Sequence, residues 1–250
     1  MRILCAVFFV LALALAPAGA QASPPEIFTS LEAPPTPEEV RQAFARGVRT
    51  FEMDFDKPGA TEAIAEVRKL GGRAVAYHVG GGGGRAWGSV KAGEFVRKYN
   101  TPEEFTALTA DVARLVAMGA SLIHFDNTHR MSGKRLEAIV DAIQAGGAGF
   151  VAKNNPSKWR LVMKRRPDLR PAYAVIEEAM TDEDLTQEAY ELHERGVPVY
   201  IVGFRKVIDK GAEGVTDDYA KEYAVNNPWA TVLLMDDEQA YDSRTGVFVH

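Results

Sequence analysis

Residues 173–180, YAVIEEAM, form an apolar, β-branched run that ends in two adjacent acids, Glu177 and Glu178. A continuous apolar run of this kind predicts a parallel strand buried on both faces, with the acids where the strand leaves the core. Three other apolar runs end in the same way, in acids, amides or a lysine: RTFEMDFD (49–56), SLIHFDN (121–127) and FVAKNN (150–155). Four such runs in series predict a parallel sheet with polar residues along one edge.

Strand and helix segments alternate along the rest of the chain. Thr36 and Thr101 stand where helices begin, and Pro102 and Pro156 occupy first helical positions. The predicted strands are residues 26–30, 48–55, 73–79, 121–127, 149–155, 173–178, 197–204 and 231–235. This pattern predicts one α/β domain, a (β/α)8 TIM barrel, while residues 246–250 are interpreted as a short tail. A doubly wound open sheet is the competing arrangement.

The first 22 residues have the layout of a secretory signal peptide. Arg2 precedes an apolar run over residues 3–16, and small residues follow around the expected cleavage point. The run is too short to favour a membrane anchor. The predicted organisation is therefore a signal peptide over 1–22 and a barrel over 23–250, in a secreted or periplasmic protein without an integral membrane segment. The only cysteine, Cys5, lies in this signal, so no disulfide is expected.

The overall charge gives no reason to expect a nucleic-acid partner. Lys and Arg number 29 against 34 Asp and Glu, which leaves a net charge of −5. The glycine run at 80–84 is followed by neither a helix nor a Gly-Lys-Ser/Thr sequence, so a phosphate-binding loop is not expected. No nucleotide or other cofactor is predicted.

Polar residues at the ends of different barrel strands are predicted to meet at one mouth. In TIM barrels the active site lies at the carboxyl ends of the strands. The candidate site residues on this basis are Asp54, Tyr77, Asp126, Lys153, Asn154, Glu177 and Arg205. Trp87, beside the glycine run, is the candidate platform for a sugar ring.

Asp126 and Glu177 are the most suggestive pair, because they come from different, non-adjacent strands. Glycoside hydrolysis needs two carboxyl groups, one to protonate the leaving oxygen and one to attack the sugar or activate water. Lys153 could hold one of the acids ionised. A metal site built on Glu52, Asp54 and Asp56 was the alternative for the second strand. We predict no metal, and His124 is interpreted as a satisfied core or rim histidine.

The ordered motifs resemble glycoside hydrolase family 114, the endo-α-1,4-polygalactosaminidase-like barrels. VAKNNPSKW and YAVIEEAM are similar to that family's Leu-Lys-Asn and Val-Glu-x-Cys-Phe segments, and IHFDN is similar to its Phe-x-Asp-Asn. FEMDFD and RAVAYHVGGG resemble its Ile-Asp-Leu-Phe-Asp and Val-Ile-x-Tyr-x-x-x-Gly. The resemblance covers residues 51–204. Ala179 and Met180 depart from it, because they replace Cys-Phe, and residues 26–30 lack the family's tryptophan-rich first strand.

The resemblance implies a site and a substrate. Asp126 and Glu177 take the positions of the catalytic acids, as nucleophile and acid/base of a retaining cleavage, although the sequence leaves open which acid has which role. The substrate-pocket positions fall on Asp54, Tyr77, Lys153 and Asn154. The implied partner is a galactosamine-type polysaccharide or oligosaccharide, while the exact sugar, endo or exo action and oligomeric state stay open.

Two other functions are compatible with a barrel of this kind. GVRTFEMD (47–54) resembles part of a metal-dependent, glycerophosphodiester-type phosphodiesterase, but that site requires a histidine at the end of the first strand, and residues 26–30 have none. The departures after Glu177 also allow a non-catalytic, carbohydrate-binding barrel.

Overall fold

A computed structural model describes residues 27–31, 33–79, 101–126, 132–206, 214–237, 242, 244 and 246–249. Eight strands pair in chain order, each parallel to the next. They are β1 (Ile27–Ser30), β2 (Thr50–Met53), β3 (Arg73–Val79), β4 (Leu122–Asp126), β5 (Gly149–Lys153), β6 (Ala174–Glu177), β7 (Val199–Lys206) and β8 (Thr231–Asp237). The curled sheet confirms the predicted TIM barrel. The predicted signal peptide at 1–22 lies outside the described residues.

Helices connect the strands, and five of the seven described helices begin at a residue whose side chain caps them. The seven described helices are α1 (Pro37–Ala45), α2 (Ala60–Lys69), α3 (Pro102–Met118), α4 (Gly133–Ala145), α5 (Pro156–Arg165), α6 (Glu183–His193) and α7 (Asp217–Asn226). Thr36 and Thr101 form capping boxes with Glu39 and Glu104, which satisfy amide groups at the starts of α1 and α3. None of the helices in the described parts of the chain is long and apolar enough to cross a lipid bilayer.

Side chains of each strand alternate between two apolar cores. On β4, Ile123 and Phe125 belong to the outer core between the sheet and the helices. Leu122 belongs to the inner core inside the barrel. His124 and Asp126 lie two and four positions after it, so they have the same parity along the strand and also point inward. Both faces of every strand are therefore covered, which explains the continuous apolar runs in the sequence.

The C-terminal residues, which we interpreted as a tail, contain a ninth strand. β9 (Val247–Val249) pairs antiparallel with β8. Asp242 bridges Ser30 of β1, and the Arg244 guanidinium donates to Ser30 Oγ at 3.0 Å, so this segment connects the last parallel strand to the first. A strand of three residues is too short to give a recognisable alternation in the sequence.

Candidate active site

Six of the predicted site residues lie at the carboxyl ends of β2 to β6. Four of these side chains point into the barrel, because each lies an even number of positions after an inner-core residue of its own strand. The inner-core residues are Val75, Leu122, Val151 and Val175, and the site residues that follow them are Tyr77, Asp126, Lys153 and Glu177. Asp54 directly follows β2 and Asn154 directly follows β5. The barrel topology therefore gathers residues from five successive strands around one mouth.

Tyr77 and Asp126 form the first contact of the site. They extend from the adjacent strands β3 and β4, and both side chains are buried. The Tyr77 hydroxyl donates a hydrogen bond to Asp126 Oδ2 at 2.5 Å. This bond fixes one oxygen of the carboxylate, so the rotation of the Asp126 side chain is restricted.

Lys153 connects the two acids. Its side chain comes from β5, between the strands of Asp126 and Glu177, and only 2% of the residue is exposed. The Lys153 ammonium donates to Glu177 Oε1. Burial alone would lower the pKa of Lys153, but the negative charges of Glu177 and Asp126 outweigh this effect and raise the pKa above its ordinary value. Lys153 is therefore a buried cation that interacts with both candidate catalytic acids.

Asn154 holds Glu177 from two sides. Its Oδ1 accepts a hydrogen bond from the Glu177 backbone amide at 2.9 Å, and its Nδ2 donates to Glu177 Oε2 at 3.0 Å. The geometry depends on a left-handed backbone at Asn154, with φ of 48°, followed by a second left-handed residue, Asn155. Such conformations are uncommon for residues other than glycine and often occur at functional sites. The site therefore contains the backbone strain expected of a constrained arrangement.

Glu178 follows the last residue of β6, and strand alternation predicts that its side chain points away from Glu177. It is exposed and has a left-handed φ of 63°, which turns the chain into a short 3₁₀ helix, Ala179–Thr181. Ala179 and Met180, which depart from the family pattern, are buried in the outer core, where Met180 lies beside Gly203. Their side chains thus pack behind the strand that presents Glu177.

Asp54 is a partly buried acid at the mouth. Its Oδ1 accepts a hydrogen bond from the Asp56 backbone amide at 2.9 Å. Burial raises the pKa of Asp54 above the ordinary 3.8, and the nearby charge of Asp56 acts in the same direction, against the hydrogen bond. The ionised form of Asp54 therefore reduces the stability of the fold.

Asp54→Asn is expected to raise Tm at pH 7 by about 1–3 °C and to have no effect on Tm at pH 3. The folded pKa is raised, so the penalty is absent below pH 3.8, grows as the pH rises, and is complete above the folded pKa. Thermal unfolding at both pH values measures the difference. Asp56→Asn is the control, because Asp56 pairs with Arg114 at 2.8 Å and its removal should not stabilise the protein. An equal gain at pH 3 would contradict this explanation.

Two predicted substrate-binding residues are not joined to this cluster. Arg205 has the outward parity of β7, and its guanidinium forms ion pairs with Asp217 at 2.8 Å and with Asp236. Both carboxylates compensate the charge of Arg205 on the helix side of the sheet, so we do not include Arg205 in the candidate site. Trp87 lies outside the described residues.

Sequence reasoning missed a buried pair beneath the mouth. Glu52 of β2 and His124 of β4 are both fully buried, and His124 Nδ1 lies 2.7 Å from Glu52 Oε1. The sequence predicts a satisfied core or rim histidine at His124, but its Nε2 has no hydrogen-bond partner among the described residues. The available signal was spacing, since each residue stands two positions before a site acid, Asp54 or Asp126.

The described side chains around the mouth include no cluster typical of a metal centre. Within the described ranges, no three histidine, cysteine, aspartate or glutamate side chains come together as metal ligands would. The polar groups present are suited to proton transfer, to nucleophilic attack by a carboxylate and to the binding of a positively charged or hydroxylated ligand.

Comparison with known proteins supports the fold. No family model matches the chain, and no curated protein matches it. Among solved structures, the chain is similar to the glycoside hydrolase domain of PelA from Pseudomonas aeruginosa, with a TM-score of 0.61 and 12% identity over 91% of this chain and 100% of that chain. A variant of the same domain gives a TM-score of 0.62 at 13% identity, with the same coverage. At this identity the likeness shows a shared barrel fold.

Proposed function

We propose that this protein is a glycoside hydrolase that uses Asp126 and Glu177 as its two carboxyl groups. The observation that carries the proposal is the shared interaction of both acids with one buried cation, Lys153, at the carboxyl ends of barrel strands. The likeness to the glycoside hydrolase domain of PelA supports this class of reaction by analogy of fold, and the arrangement of the acids carries the argument for it.

In the proposed retaining reaction, an Asp126 oxygen attacks the anomeric carbon while Glu177 donates a proton to the glycosidic oxygen. The glycosidic bond breaks and a covalent glycosyl ester forms on Asp126. Glu177, now a carboxylate, removes a proton from water, and the resulting hydroxide attacks the anomeric carbon and releases Asp126. One water is consumed for each bond cleaved. Tyr77 orients Asp126, and Asn154 orients Glu177.

The substrate that best fits the mouth is a cationic amino-sugar polymer. Among the described residues, Asp54, Asp126 and Glu177 place three acids at the mouth, where Lys153 is the one buried lysine or arginine. An ammonium group on the sugar would compensate this negative charge, while an unmodified neutral sugar would not. Together with the family resemblance, this favours α-1,4-linked, partly deacetylated galactosamine. The predicted signal peptide at 1–22 would deliver the enzyme to the periplasm or outside the cell, where such polymers occur.

Incubation with α-1,4-linked galactosamine polymer tests the proposal. We expect new reducing ends, shorter chains, and a first-formed product with the α configuration of the substrate, as proton NMR can follow. Chitosan is the matched control, because it is equally cationic but β-linked. Tight binding without new reducing ends would instead indicate a non-catalytic carbohydrate-binding barrel. Loss of activity on chelation and its return with Mg²⁺ would indicate the phosphodiesterase alternative.

A further inference from the structure

The Glu52–His124 pair lies inside the barrel, one inward position below the site acids. Both residues are 0% exposed, and their strands are separated by β3, so the two side chains meet across the barrel interior. The separation of 2.7 Å between His124 Nδ1 and Glu52 Oε1 is a hydrogen-bond distance. Because the proposed reaction uses neither residue directly, the pair needs its own explanation.

Packing does not account for these two side chains. In the strand register, Glu52 lies between Thr29 and Val75, and His124 lies between Tyr77 and Val151. Each member of the pair therefore has a buried valine beside it, so this level of the interior accepts apolar groups. Glu52 Oε2 and His124 Nε2 have no hydrogen-bond partner within the described part of the chain. Buried polar atoms without partners reduce stability. The pair therefore opposes folding at a position where an apolar residue would favour it.

A chain of contacts leads from the pair to Asp126. The His124 ring packs edge-on against the Tyr77 ring, with centroids 5.3 Å apart and an interplanar angle of 76°. Tyr77 in turn donates to Asp126 Oδ2. Glu52 fixes the orientation of His124, His124 restricts the Tyr77 ring, and Tyr77 restricts the carboxylate of Asp126.

A second link is electrostatic. Burial lowers the pKa of Lys153, but the charges of Glu177, Asp126 and also Glu52 raise it, with a net increase. Glu52 therefore acts on the same cation as the two site acids and contributes negative charge to the same enclosed region. In a region of low dielectric constant, such a charge affects the proton equilibria of its neighbours strongly.

We propose that Glu52 and His124 are positioning residues that orient Asp126 through Tyr77 and set the pH range in which the site works. The inference rests on the proposed hydrolase function, because it assigns the pair to the same two acids. The other ionisable side chains of the described residues that have inward parity are Asp54 after β2, Arg73 and Tyr77 on β3, Asp126 on β4, Lys153 on β5, Tyr173 and Glu177 around β6, and Tyr200 and the exposed Lys206 on β7.

Glu52→Gln tests the charge, because glutamine keeps an oxygen acceptor for His124 and nearly the same volume. We expect both limbs of the pH profile of kcat/KM to move to lower pH by about 0.5 unit, since a neighbouring acid loses its proton more easily when a negative charge is removed. At the pH optimum, kcat should fall by about fivefold with KM unchanged, because the buried pair cannot touch substrate. An unshifted profile with unchanged kcat would overturn the proposal.

His124→Asn tests the positioning. Asparagine retains an N–H donor for Glu52 but removes the ring that packs against Tyr77, so kcat should fall without a change in KM. His124→Gln is a second substitution for the case in which His124→Asn does not fold. If both variants fold and keep the wild-type kcat, His124 does not position the site.

Glu66→Gln is the matched control for a general effect of losing one acid. Glu66 lies on α2, where it pairs with Arg41 at 3.1 Å and Lys69 at 3.6 Å, on the outer side of the barrel. Its replacement should lower Tm and leave the pH profile in place. A shift in Glu66→Gln equal to that in Glu52→Gln would show that the charge effect is not specific to the pair.

Titration by carbon-13 NMR separates this inference from the proposed function. The side-chain carboxyl resonances of the site acids, assigned with Asp126→Asn and Glu177→Gln, can be followed with pH in an inactive preparation. Glu52→Gln should move their titrations to lower pH by about 0.5 unit. If the wild type cleaves no polymer, the proposed function fails, but this shift would still support the electrostatic role of Glu52. Superimposable titration curves would refute that role whatever the activity.

Discussion

Asp126→Asn and Glu177→Gln are each expected to reduce kcat for polymer cleavage by about 10³-fold. Asparagine at 126 can still accept the Tyr77 hydrogen bond, but it cannot form the glycosyl ester. Glutamine at 177 can still accept from Lys153, but it cannot carry a proton between the leaving oxygen and water. Both variants should therefore remain folded, and reducing-end release against time measures the loss.

Glu178→Gln is the control for this pair of variants. It removes an acid from the residue next to Glu177, but Glu178 is exposed and its left-handed backbone begins the 3₁₀ helix that follows β6. We expect the wild-type rate. Full activity in both Asp126→Asn and Glu177→Gln would reject the proposed site.

Azide distinguishes the roles of the two acids. If Glu177 is the acid/base, azide should restore turnover in Glu177→Ala on a substrate with a good leaving group. Attack on Asp126 inverts the α substrate to a β ester, and azide inverts this ester again, so the glycosyl azide should be the α anomer. If Asp126 is the nucleophile, azide should attack the α substrate of Asp126→Ala directly and give the opposite, β azide by a single inversion, and only Glu177→Ala should accumulate the glycosyl ester. Mass spectrometry of the intact protein detects this ester. Its appearance in Asp126→Ala instead would exchange the two roles.

The strand order and the gathering of the site acids were predictable from the sequence. Each strand is an apolar run that ends in a polar residue, and closure of the barrel brings those ends together regardless of loop detail. This is sufficient to place Asp126 on β4 and Glu177 on β6 at the same edge of the sheet. Lys153 also follows from this rule, because it ends β5 between them.

Arg205 shows where the same rule fails. Strands covered on both faces are apolar at every position, so their sequence does not reveal which parity points into the barrel. On β7 the inward residues are Tyr200, Val202 and Phe204, which leaves Arg205 facing α7 and its partner Asp217. Only the packed structure distinguishes these two directions.

The contact between Glu52 and His124 was hard to predict for a different reason: spacing places each residue one inward position below a site acid, but does not show that the two side chains meet. The two residues are 72 positions apart, and nothing local to either of them indicates the other. Their meeting depends on the register between β2, β3 and β4, in which a shift of one residue would turn one side chain outward. The pair is thus a property of the tertiary structure alone.

Lys153→Met is expected to lower the free energy of unfolding at pH 7 by about 3 kcal/mol and to reduce kcat strongly. Methionine matches the length of the lysine stem but removes the cation that Glu177, Asp126 and Glu52 share. Their negative charges are then left uncompensated in a region with little water. Urea unfolding and polymer cleavage, measured on the same preparation, give the two quantities.

The pH dependence of unfolding tests whether the loss of stability in Lys153→Met is caused by removal of the lysine charge. Because the folded pKa of Lys153 is raised, the stabilisation by its charge is fully present below the unfolded value of 10.5 and is lost as the pH rises through the folded pKa. The stability difference between wild type and Lys153→Met should therefore decrease at strongly alkaline pH, and also at acidic pH, where the carboxylates become protonated. Lys164→Met, on the exposed side of α5, should show no such difference at any pH. A constant deficit across the pH range would instead assign the effect of Lys153 to packing of its stem, and the cation would no longer connect the two acids.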